Sequence, residues 1–114
     1  MSLQQTIENI WDNRDLLQKE ESKTAIREVI ALLDKGELRV AEPTENGWQV
    51  NEWVKKAVVM YFPIQKMETI EVGPFEFHDK IPLKKNYAEK GVRVVPHAVA
   101  REGAYISPGV ILMP

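Results

Sequence analysis

Changes of period along the chain predict an α+β fold. Up to Tyr61 the apolar residues recur every three or four positions, as on one face of a helix. From Ile70 to Phe77 they alternate with polar residues, as on strands, and from Val94 onward they recur every six. A helical N-terminal domain with short β-hairpins is therefore expected over residues 1–90. A repeating β segment follows it over 91–114.

The first helix opens at Ser2 and Gln5, which have the spacing of a capping box: each side chain satisfies a backbone N–H at the helix start. Leu3, Ile7, Ile10, Trp11 and Leu17 follow on one helical face, until the charged stretch Gln18–Lys23 interrupts the pattern. A second helix is expected with Ser22 as its cap and Ile26, Val29, Ile30 and Leu33 as its stripe; Gly36 is placed to adopt the left-handed stop. Leu38–Glu42 and Trp48–Val50 flank Asn46-Gly47, a hairpin turn signal. Asn51 is then the expected cap of a third helix carrying Trp53, Val54, Ala57, Val58 and Tyr61, which Pro63 should end. Ile70 and Val72, then Phe75 and Phe77, alternate around Gly73-Pro74 as a second hairpin, and residues 79–90 read as polar and irregular. The spacing of Trp11, Trp48 and Trp53 favours core or interface packing over a stacking surface for a ligand.

The tail divides into hexads: Val94–Val99, Ala100–Tyr105 and Ile106–Ile111, with Leu112 opening a fourth. Each complete hexad has an aliphatic or small residue first and another fifth, and Gly103 and Gly109 recur at the turn. This is the repeat of a left-handed parallel β-helix, in which three hexads make one triangular coil. The other reading of the same residues is a β-hairpin or irregular tail covering the helical domain. A coil buries its apolar face only against the next coil, so the natural polypeptide is expected to continue past Pro114.

Composition narrows the function classes. The chain has 114 residues, enough for one modest core, and its formal net charge of -2 points to neither nucleic acid nor an anionic membrane. No segment approaches the roughly 18 apolar residues of a spanning helix. Met1–Ile10 is too polar to serve as a signal peptide. With no cysteine there is no disulfide, thiolate metal site or cysteine nucleophile, and a cytoplasmic location is expected.

Three ordered blocks carry a family resemblance: Ala31-Leu32-Leu33-Asp34-Lys35-Gly36-Glu37-Leu38-Arg39-Val40-Ala41-Glu42, Trp53-Val54-Lys55-Lys56-Ala57-Val58 and Gly91-Val92-Arg93-Val94-Val95-Pro96. With the ending Val110-Ile111-Leu112-Met113-Pro114, they resemble the tetrahydrodipicolinate N-succinyltransferases over nearly the whole chain. The resemblance implies transfer of a succinyl group from succinyl-CoA to the amino nitrogen of ring-opened tetrahydrodipicolinate, in lysine and diaminopimelate synthesis. It implies a homotrimer with active sites between neighbouring β-helices. It also implies substrate binding by Arg93, because a guanidinium fork holds a carboxylate bidentately and the acceptor is a dicarboxylate. On the bare residues, an arginine between apolar neighbours such as Arg93 is more often a structural ion-pair partner, and the motif around it tips the reading toward substrate. By the same resemblance the acidic residue near the acceptor amine and the CoA slot lie beyond Pro114, so no catalytic residue, no metal and no cofactor other than the co-substrate succinyl-CoA is expected within 1–114. The chain alone is then expected to be inactive, and a monomer or weak associate. The competing reading is a stand-alone assembly or binding module derived from the same domain.

His78 and His97 lack the carboxylate or cysteine company of a metal site. His78 should lie on the solvated face of its strand, and His97 at a variable hexad position. Lys55-Lys56 and Lys84-Lys85 are read as solvated pairs, with CoA phosphates as the functional alternative. The six glycines are too dispersed for a phosphate loop, and Ser22 and Ser107 have no triad context.

Overall fold

The computed structural model describes residues 1–114. Three helices form the centre: α1 (Leu3–Asp12), α2 (Glu20–Asp34) and α3 (Glu52–Ile64), with a 3-10 turn, Arg14–Gln18, between the first two. Three two-stranded sheets surround them. β1 (Ala41–Thr44) pairs with β2 (Gly47–Val50), and β3 (Glu68–Val72) with β4 (Phe75–Asp79), both antiparallel; β5 (Arg93–Val94) pairs with β6 (Ile111–Leu112) in parallel. The helices and short strand pairs are those of an α+β domain.

Local chemistry sets most of the ends. Ser2 Oγ accepts from the Gln5 N–H while Gln5 Oε1 accepts from the Ser2 N–H, a complete capping box. Ser2→Ala is expected to lower stability by about 1 kcal/mol. Since α1 delivers Ile7 and Ile10 to the core, thermal denaturation should show that loss as a melting point lower by about 4 °C. At the end of α2, Gly36 takes φ +79°; its N–H donates to Leu33 O and the Glu37 N–H to Leu32 O, the paired bonds of a Schellman stop.

Four expectations need correction. α1 ends at Asp12, so Leu17 reaches the core from the 3-10 turn rather than along a continuous stripe. α2 begins three residues early: Lys19 is the cap position, and Ser22 lies buried inside the first turn. Glu20 and Glu21 instead place carboxylates at the positive end of that helix. Asn51 occupies the cap position of α3 without capping it, because its side chain donates to Arg39 O and accepts from Gln49. Pro63 lies within the last turn of α3, which runs on to Ile64; so near the end, its missing N–H costs the helix a single bond.

The core is one cluster in which Ile7, Ile10, Ile26, Val29, Val54 and Met60 are essentially inaccessible. Trp11 and Trp53 pack against it, but Trp48 does not: it is 70% exposed on β2. In the second hairpin, Ile70 opposes Phe77 and Val72 opposes Phe75, all on one face. Gly73 has φ +57°, and a proline after it must have negative φ, so the turn is of type II′. Residues 79–90 are less irregular than their composition suggests. Ile81 and Lys84 are buried, and Leu83 bridges to Arg101 through the bonds Lys84 N–H to Ala100 O and Glu102 N–H to Pro82 O.

Candidate functional site

Arg93 lies on β5, whose ladder has a long period. Arg93 pairs with Ile111 and Val94 with Leu112, each residue joining the one eighteen positions further on. The Arg93 N–H donates to Val110 O at 3.1 Å and the Val95 N–H to Leu112 O at 3.0 Å. Gly91, at φ +69°, leads into the strand, and its carbonyl accepts from the Gly109 N–H at 2.7 Å. Val92 is buried beside it, which fixes the strand and turns Arg93 outward. The same alternation runs through the tail. Val94, Ala100, Ile106 and Leu112 are half-buried, while Arg93, Val99, Tyr105 and Ile111 are exposed.

The Arg93 guanidinium enters none of the chain's ion pairs, which join Lys23 to Glu20, Lys56 to Glu8, Lys84 to Asp34 and Arg101 to Asp79. An exposed guanidinium with no carboxylate of its own is chemically fitted to bind one from outside.

The lysine pairs separate. Lys56 bonds Glu8 at 2.8 Å and stands over the Trp11 ring, and the Glu8 hydrogen bond raises its pKa; Lys55 is exposed. Lys85 is also exposed, but Lys84 is neither solvated nor available to a phosphate. Its side chain is 3% exposed and its ammonium donates to Asp34 Oδ1, which also accepts from the Gly103 N–H at 2.9 Å. Burial pushes the Asp34 carboxyl up, yet the Lys84 and Gly103 hydrogen bonds outweigh it and hold the pKa below the usual range. Together they join the end of α2 to the 80s segment and to the tail. Tyr105 adds to that junction, its ring lying against Gly36.

The histidines stand apart. His78 Nδ1 lies 2.8 Å from Thr69 Oγ1 across the exposed hairpin, and the His97 ring meets Phe75 edge-on at 4.8 Å. No three His, Asp or Glu side chains converge as metal ligands, and no helix is long and apolar enough to cross a membrane.

Against this geometry, the family model described as tetrahydrodipicolinate N-succinyltransferase N-terminal matches residues 2–64, from the capping box to the end of α3. The chain belongs to the tetrahydrodipicolinate N-succinyltransferase family. Its similarity to members extends past that region. It is 46% identical to the 2,3,4,5-tetrahydropyridine-2,6-dicarboxylate N-succinyltransferase of Bordetella petrii, a match covering all of this chain and 45% of the relative. The enzymes of the same name from Granulibacter bethesdensis and Alkalilimnicola ehrlichii are 44% and 47% identical, over 98% and 94% of this chain and 44% and 43% of theirs. The chain thus spans less than half the length of these curated relatives.

Proposed function

We propose that this chain is the N-terminal part of a CoA-dependent N-succinyltransferase whose acceptor is ring-opened tetrahydrodipicolinate. In the reaction the acceptor's amine nitrogen attacks the thioester carbonyl of succinyl-CoA. An amide forms, and the carbon–sulfur bond breaks with its electron pair leaving on sulfur as the CoA thiolate. The proton lost from nitrogen passes to a base supplied from outside residues 1–114, from which the thiolate can take it to leave as free CoA. Within this chain Arg93 binds an acceptor carboxylate through its guanidinium fork.

The observation that carries this reading is the exposed, unpaired Arg93 on a parallel ladder of eighteen-residue period. Eighteen residues is the length of three hexads, so the ladder supports β5 and β6 as successive turns of a left-handed β-helix beginning near Gly91. In this proposal residues 1–90 brace that helix and residues 91–114 form its first coil. The assembled enzyme is a cytoplasmic homotrimer acting in lysine and diaminopimelate synthesis, and residues 1–114 alone catalyse no transfer.

Arg93→Lys in the full-length enzyme separates charge from geometry. Losing one of two parallel hydrogen bonds should raise the KM for the dicarboxylate acceptor about tenfold. The KM for succinyl-CoA should stay unchanged, because the substitution touches only the acceptor. Steady-state kinetics with each substrate varied in turn measures both, and an unchanged acceptor KM would remove Arg93 from the site.

A further inference from the structure

Two surfaces at opposite ends of the helical bundle lack partners, and their characters are complementary. The first is the β1–β2 hairpin. Pro43 opposes Trp48 and Ala41 opposes Val50, so these four share one face of the ribbon, where Trp48 is 70% and Val50 50% exposed. Between Ala41 and Trp53 the charged residues are Glu42, Glu45 and Glu52, with no cation among them. The hairpin is an acidic knob tipped by tryptophan.

The second is a cleft of about 760 Å³ beside the β3–β4 hairpin, whose aliphatic lining includes Ile64, Ile70, Val72 and Ile81. Five cations line it: Lys23, Arg27, Lys66, Lys80 and Lys85. Three carboxylates also line it: Glu20 neutralises Lys23 within the cleft and Asp79 pairs with Arg101 outside it, so the lining keeps an excess of two positive charges. Lys66 and Lys85 are exposed and enter no ion pair. The lining thus combines aliphatic side chains with a net basic charge.

α2 and α3 keep these surfaces apart. The cleft holds Glu20 at the start of α2 and Ile64 at the end of α3, whereas the knob joins the end of α2 to the start of α3. A 15-residue helix is about 22 Å long, so the knob cannot fold back into its own cleft. We propose that the Trp48 hairpin of one copy of this chain docks in the basic cleft of a second copy, head to tail. Tryptophan in an apolar pocket is a typical interface anchor, and the opposite charges at knob and cleft orient the approach. The partner would cover apolar faces on two hairpins, each of which is marginal as a lone two-stranded sheet. Such a contact uses different surfaces on the two copies, and each copy keeps a free knob or cleft for the next.

Sedimentation velocity on the 114-residue chain, from micromolar to near-millimolar concentration, tests this. Weak self-association is expected, and it should decline as salt screens the cleft charges. Trp48→Ala removes the knob and Lys66→Glu with Lys85→Glu reverses the cleft; all three sites are exposed, so both variants should fold. Each alone should associate at least about tenfold more weakly. Mixed, they should form a heterodimer that stops at two, since one retains a working cleft and the other a working knob. A chain monomeric throughout, self-association untouched by Trp48→Ala, or a mixture that forms no heterodimer would each overturn the proposal.

Discussion

Asp34→Ala is expected to lower stability by about 3 kcal/mol, the lower end of the cost of breaking a buried pair, because Asp34 itself is a quarter exposed. The loss is large for one surface-adjacent carboxylate because of what remains. The Lys84 ammonium would stay buried with no counter-charge, and the Gly103 N–H would lose its acceptor. Asp34→Asn should cost less, since an amide oxygen can still accept from Gly103. The pH dependence has a definite sign. The Asp34 pKa is lowered in the folded chain, so the unfolded chain binds the proton more readily. Its stabilisation is present in full above the unfolded value of about 3.9 and is lost as pH falls through the lower folded one. Urea titrations from neutral pH downward should therefore show the wild-type advantage over Asp34→Asn shrinking below about pH 4. An advantage constant across that range would mean the carboxylate does not bear the charge assigned to it.

Gly36→Ala carries the second large effect, because two costs coincide at one Cα. The residue holds φ +79°, a left-handed conformation that costs an L-residue with a side chain about 1–2 kcal/mol. A Cβ built there would also stand 2.9 Å from the Tyr105 ring, which must move. Together these should destabilise the chain by about 2–3 kcal/mol, or roughly 10 °C in melting point. Gly47→Ala is the internal comparison: it too has positive φ, at +106°, but no atom lies within 4 Å of its Cβ. Its loss should reflect backbone strain alone. A double-mutant cycle with Tyr105→Ala isolates the ring contact, and a coupling near zero would show that the tail does not press on the end of α2.

These two sites mark the limit of what was legible in the chain. The Ser2–Gln5 box, the Gly36 stop and the Gly73-Pro74 turn were all readable, and each involves groups within six residues of one another. Bonds so short in sequence depend on residue type and little else. Ser22 and Asn51 show how such reasoning fails. Both residue types suit a helix cap, but Ser22 is buried within the first turn and Asn51 is drawn to the carbonyl of Arg39, twelve residues back. The sequence predicts Lys84 as one of a solvated pair, because a lysine two residues after a proline carries no local sign of burial. Its partner lies fifty positions away.

Arg93 stands between these cases. Its motif was visible in the block Gly91–Pro96, and so was the six-residue period around it. Whether a carboxylate of this chain engages its guanidinium is not legible there, since the chain carries seventeen acidic residues and only the fold sets their distances from it.

The three helices, both hairpins, the six-residue period and the family to which the chain belongs are all legible in the residues alone. These follow from local propensity and from periodicity, which one strand of text contains in full. It took the folded chain to bring Asp34, Lys84, Gly103 and Tyr105 together at the end of α2, to leave Arg93 unpaired, and to set an acidic hairpin and a basic cleft at opposite ends of α2 and α3. Such facts depend on the path of the chain through space, where burial and charge act between groups that the sequence sets far apart.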